Sequence, residues 1–226
     1  MQQNINPYNE EEFKEQFTKS SLYLRLLNDF EELIWNYHCD PFDIGTPRQH
    51  LGDKNLRKTM FSVSIFYYLN FLTEKNPKEI YDLGCGWNIF KKYIPAVIGV
   101  GAETPDGEDF FGDIHDFVDD DYIKGHQNYF ESVFSICALH FVPMSEIRKR
   151  VLDFASMVKP SGRGLITFNA QRLLDRDPNI TIRGNELELW IRQQLSNLPF
   201  NILQFDIDLR KINNGMNGNI RLIFEK

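Results

Sequence analysis

Lys78-Glu79-Ile80-Tyr81-Asp82-Leu83-Gly84-Cys85-Gly86-Trp87-Asn88 is an apolar run that closes on an acid and a Gly-x-Gly turn. A strand that delivers a carboxylate and two glycines to its carboxyl end builds the floor of a nucleotide-sized pocket. The first glycine permits a tight turn with unusual backbone angles, and the second lets a ligand lie against bare main chain. Taken alone, the pattern also fits an ordinary strand-to-helix turn, so its neighbours decide the reading.

Working outward, Pro95-Ala96-Val97-Ile98-Gly99-Val100-Gly101 reads as a buried strand, and Phe130 to His140 as another. Ser145 to Val158 has helical periodicity with a serine at its start. Val158-Lys159-Pro160-Ser161-Gly162-Arg163-Gly164-Leu165-Ile166-Thr167-Phe168-Asn169 then reads as a proline-glycine turn feeding a further strand. A helix is expected from about Asn185 to Leu198, with Leu187, Trp190, Ile191 and Leu195 inward. Asn201 to Leu209 and Gly218 to Glu225 are strand-like and joined by an asparagine-glycine segment, so they must be antiparallel neighbours; a parallel return would need a crossover helix. The interval from Gly86 to Val97 leaves room for about two helical turns. Alternating strands and helices predict a mostly parallel sheet with right-handed crossovers.

Before this core, residues 1–76 read as a helical extension, and 77–226 as the ligand-binding domain. Phe13, Phe17, Leu22, Leu26, Phe30, Leu33 and Ile34 recur at helical spacing between Glu10 and Tyr37. Asp40 to Gly52 is rich in turn formers, and Asn55 to Lys75 forms an apolar helix that ends at Asn76-Pro77.

The 226 residues carry a net charge of −7, which argues against a broad basic footprint for nucleic acid or anionic membrane. Three scattered cysteines, Cys39, Cys85 and Cys137, make neither a metal knuckle nor a disulfide framework and fit a reducing compartment. No apolar run approaches the ~20 residues of a transmembrane helix, and the amino terminus lacks the features of a signal peptide. The expectation is a cytoplasmic protein. His115 and His126 have no metal-ligand spacing with cysteine or glutamate, so no metal site is expected.

In order and spacing, residues 78 to 170 resemble the class I S-adenosylmethionine-dependent methyltransferases motif by motif, and the rest of the chain does so by its pattern of elements. Asp82-Leu83-Gly84-Cys85-Gly86 is similar to the family's first motif, and Gly112-Asp113-Ile114 to its adenine-contacting motif. Ala138-Leu139-His140 resembles the end of its fourth strand, and Lys159-Pro160-Ser161-Gly162-Arg163 the turn before its fifth. The resemblance implies an α/β, Rossmann-like sheet, mostly parallel with an antiparallel carboxyl-terminal strand and helices on both faces. It implies S-adenosylmethionine as cofactor, with S-adenosylhomocysteine as product. By the same resemblance, Asp82 organises the turn and the methionine portion, Gly84, Cys85 and Gly86 bring backbone against the cofactor, and Trp87 covers it. Asp113 accepts from the adenine amine, Ile114 or Phe111 packs on the ring, and Ala138 lines the cofactor site.

Two departures from the family stand out. Asn88 replaces a third glycine, a tolerable change because asparagine also adopts left-handed angles. Gly101 stands where an acid normally grips the ribose hydroxyls, and Glu103, two residues on, is the acid available to replace it. His140, at a strand's carboxyl end, is the candidate catalytic base, since its pKa class suits proton removal near neutrality. Asn169 lies on the same rim.

The chain lacks an Asp/Asn-Pro-Pro-aromatic motif, a Pro-Cys nucleophile and a lysine-acid-lysine-acid tetrad. That leaves a small-molecule methyltransferase with residues 1–76 as a lid. Two other readings stay open. One is a catalytically degenerate S-adenosylmethionine- or S-adenosylhomocysteine-binding protein acting as a partner subunit. The other, a nucleotide-dependent oxidoreductase, rests on Gly84-Cys85-Gly86 alone, and the antiparallel terminal hairpin counts against it.

Overall fold

Strand β1 (Ile80–Leu83) forms where the quoted run is most apolar, and its alternation sends Ile80 and Asp82 to one face and Tyr81 and Leu83 to the other. The computed structural model describes residues 75–85, 89–100, 120–136, 138–139, 142–209 and 219–226, together with Lys19, Ser21, Leu24, Leu69 and 71–73. The chain divides into two compact units, Met1–Lys75 and Asn76–Lys226. In the first unit, Leu69 and residues 71–73 are helical, and Leu69, Phe71 and Leu72 are buried. Asn76 takes a left-handed φ of 49° ahead of Pro77, a helix-stopping combination that the sequence marks at that point. Of the expected helices from Glu10 to Tyr37, the described residues are Lys19, Ser21 and Leu24, the last two helical; the loop from Asp40 to Gly52 and most of Asn55 to Lys75 lie outside the described residues.

The second unit holds β1, β2 (Val97–Val100), helix α1 (Asp120–Gly125), β3 (Phe130–Ile136), α2 (Ile147–Met157), β4 (Val158–Asn169), α3 (Ala170–Asp175), α4 (Gly184–Gln194), β5 (Asn201–Asp208) and β6 (Asn219–Glu225). The strands hydrogen-bond in the order β2-β1-β3-β4-β6-β5. β1 pairs in parallel with β2 and β3, and β3 with β4. β6 is inserted antiparallel between β4 and β5, which makes the terminal pair the antiparallel neighbours expected from their short connection. Between β1 and β2 the described residues form a 3-10 turn at Ile89–Lys92, in keeping with the short interval there.

One face of the sheet is packed by α2 and α4. Ile147, Val151, Phe154 and Ala155 recur at helical spacing on α2 and join Leu187 and Ile191 of α4 in a core with Ile166, Phe168, Leu222 and Phe224. Gly164 lets the rings in: a Cβ there would sit 2.6 Å from Phe224 Cε1 and 3.0 Å from Phe154 Cε1. The Arg148 guanidinium donates to the carbonyls of Gln194 at 2.6 Å, Ser196 at 2.7 Å and Asn197 at 3.3 Å, closing the carboxyl end of α4.

Local details differ from the sequence reading in three places. Ser145 does not cap a helix through its side chain. It sits in a 3-10 turn, Met144–Glu146, ahead of α2, and its N–H donates to Asp177 Oδ2 at 2.9 Å. Bonds from the Ser145 hydroxyl and amide hold the Asp177 carboxyl below its ordinary value. The proline-glycine turn is an excursion inside β4: Phe130 aligns with Val158 and Ser132 with Arg163, so residues 159–162 stand opposite Glu131 alone, and Ser161 takes φ 62°. The carboxyl-terminal Lys226 secures it, its carbonyl accepting from Ser161 N at 2.7 Å and its N–H donating to Gly162 O at 3.0 Å. β3 ends at Ile136, short of the expected His140.

Candidate functional site

The strand order reverses at β1: β2 lies on one side of it and β3, reached by the next crossover, on the other. In an open parallel sheet that switch point opens a crevice at the carboxyl ends of the two strands, because their connections leave in opposite directions. Asp82, Leu83 and Gly84 sit at that end of β1.

Asp82 stands in a row that runs across the sheet. Gly99 of β2 is its partner on one side and Phe134 of β3 on the other, followed by Leu165 of β4 and Ile223 of β6. Phe134, Leu165 and Ile223 are fully buried, and Asp82 itself is 2% exposed. A carboxylate in such a row is expensive unless something answers its charge. Among the described residues nothing answers at Oδ2, which is buried without a hydrogen bond. Burial accordingly raises the Asp82 carboxyl well above the usual carboxylate range. Gly99, beside it, adds no side chain. A core built only for packing would place an aliphatic residue here; a buried acid with an open oxygen at a switch point is the pattern of a ligand site.

The turn after Asp82 is held from both neighbouring strands. Gly84 takes φ 90°, a conformation that favours glycine. The N–H groups of Gly84 and Cys85 both donate to Val100 O, at 2.8 and 3.1 Å. From the other side, the Ser135 hydroxyl donates to Leu83 O at 2.8 Å. Phe90, in the 3-10 turn, meets Phe134 edge-on at 5.2 Å between ring centres, fixing the descending chain against the row that contains Asp82.

Of the residues named from the sequence, the structure brings Asp82, Gly84 and Cys85 together at the end of β1. Cys85 is buried. Ala138, half-buried, follows the end of β3. Gly86, Trp87, Glu103, Asp113, Ile114 and His140 lie outside the described residues, as does Gly101. Asn169 is engaged elsewhere: its Oδ1 accepts from Arg172 N at 3.0 Å and caps α3. Ser135 and Phe90 were not singled out from the sequence. A hydroxyl inside the apolar run Val133-Phe134-Ser135-Ile136 was the available signal. No cluster of metal-ligating side chains occurs among the described residues.

No family model matches the sequence, and neither does any curated protein. Solved structures do. A putative sarcosine dimethylglycine methyltransferase from Galdieria sulphuraria matches 88% of this chain and 97% of its own, at 12% identity and TM-score 0.50. A SAM-dependent methyltransferase from Archaeoglobus fulgidus matches 77% of this chain and 95% of its own, at 17% identity and TM-score 0.46. With the switch point between β1 and β3 and the antiparallel insertion of β6, the Galdieria likeness identifies the fold as that of the class I S-adenosylmethionine-dependent methyltransferases.

Proposed function

We propose that the protein is a cytoplasmic S-adenosylmethionine-dependent methyltransferase that acts on a small-molecule acceptor by in-line transfer. The observation that carries this reading is Asp82: a buried carboxylate with an open oxygen, beside a glycine-built turn, at the switch point of this fold. S-adenosylmethionine supplies the methyl group from its sulfonium, and its ammonium and hydroxyl groups are the donor chemistry that a buried acid lacks. Asp82 would hold that donor end, and Gly84 and Cys85 would offer main chain to it. Glu103 would take the ribose in place of the acid absent at Gly101, and Asp113 and Ile114 the adenine. Transfer of this kind needs alignment and exclusion of water more than covalent help, so binding residues outnumber catalytic ones. His140 would take the acceptor's proton where the acceptor carries one.

A net charge of −7 and the missing nucleic-acid methylation motifs favour a small acceptor over DNA or RNA. No described helix is long and apolar enough to cross a membrane. Gly101 supports a second reading, a cofactor-binding subunit that no longer transfers methyl groups. Incubation with radiolabelled S-adenosylmethionine and a fractionated small-metabolite pool separates them. Label in a small product, reduced in His140→Ala with cofactor affinity unchanged, is the expected result; binding without transfer into any fraction would leave the subunit reading.

A further inference from the structure

The β1–β3 pairing extends through Asp82↔Phe134, and just beyond it the chain must part to open the crevice. At that place a side chain joins the strands. Ser135, fully buried on β3, donates its hydroxyl to Leu83 O at 2.8 Å, immediately ahead of the Gly84 turn. The same turn is tied to β2 through the two amides that converge on Val100 O. Leu83 and Gly84 are thus anchored on both flanks, one anchor main-chain and the other a single hydroxyl.

We propose that Ser135 is a positioning residue for cofactor binding: through Leu83 O it sets the width of the β1–β3 crevice and the attitude of the Gly84 turn. This assignment rests on the cofactor reading above. The side chain points at the strand rather than the ligand, so it acts through the turn. Removing it leaves a buried carbonyl without its donor, and the turn shifts to find another. A site held only by main-chain amides on one flank is pre-organised less well and binds more weakly.

The test compares S-adenosylhomocysteine affinity by calorimetry, and melting temperature without ligand, in the full-length protein and three variants. Ser135→Ala removes the donor. Ser135→Cys keeps a side chain of similar size with a weaker donor and serves if the alanine variant does not fold. Ser156→Ala is the control: its hydroxyl donates to Asp153 O at 2.6 Å on α2 and accepts from Gln127 Nε2 at 2.9 Å, so the change removes hydroxyl bonds away from the turn. The expected result is affinity weakened about fivefold to tenfold in Ser135→Ala and by an intermediate factor in Ser135→Cys. Ser156→Ala should retain wild-type affinity at a comparable loss of melting temperature. Wild-type affinity in the Ser135 variants overturns the positioning role and leaves the cofactor reading intact. Absence of binding by the unaltered protein overturns both.

Discussion

Asp82 is where sequence and physics meet most sharply. In the unfolded chain an aspartate ionises near about 3.9. In the fold burial raises that value, so the contribution of the group to stability is fully present below about pH 3.9 and is lost as pH rises through the folded pKa. At neutral pH the free protein therefore bears a cost that an amide would not. Asp82→Asn is expected to raise the melting temperature at pH 7, by about 2–4 °C for each kcal/mol recovered in a chain of this size, with the gain vanishing near pH 4. Calorimetric scans of both proteins across that range check it. A residue whose replacement stabilises the fold is one retained for something other than stability. The acid was legible because a carboxylate ending an apolar run breaks its pattern in the linear sequence. Ser135 was not, because its partner, Leu83 O, lies on another strand and no local rule names it.

At the scale of elements, periodicity and turn chemistry carried most of the information. β1, β2, β4, β5 and β6 fall where apolar runs and asparagine, proline or glycine place them, and the short β1-to-β2 interval foretold the reduced connection. Long-range partners produced the differences. Ser145 reads as a cap from its neighbours alone, yet Asp177 reaches it from beyond α3, and the proline-glycine turn stays inside β4 because Lys226 pairs with it. α3 is a single short helix whose start depends on Asn169 turning its side chain back onto the chain. The fit between β4 and the rings of α2 and β6 gives a prediction at this scale. Gly164→Ala places a Cβ against Phe224 and Phe154, where neither ring can yield without disturbing the core. It should cost about 1–3 kcal/mol, read as a lower midpoint in chemical denaturation, with cofactor affinity unaffected. An unchanged midpoint would mean that the rings repack freely.

For the molecule as a whole, the order β2-β1-β3-β4-β6-β5 fixes both the fold and the switch point at β1. The fold followed from the terminal antiparallel pair and the glycine turn. The acceptor does not follow, since one fold serves many substrates and the side chains that choose among them are set by loops. If the crevice is a working cofactor site, S-adenosylhomocysteine at a hundred times its Kd should stabilise the protein by about 2.7 kcal/mol, a rise of roughly 5–10 °C in melting temperature. NADH at the same concentration should produce none; a larger shift with NADH would move the assignment to nucleotide-dependent oxidation and reduction. Isothermal titration of S-adenosylmethionine and S-adenosylhomocysteine into the unaltered protein and into Asp82→Asn tests the central claim most directly. The account predicts micromolar binding of both ligands by the unaltered chain and its loss in a variant that melts no lower; no heat with either ligand, or equal affinity in Asp82→Asn, would contradict it.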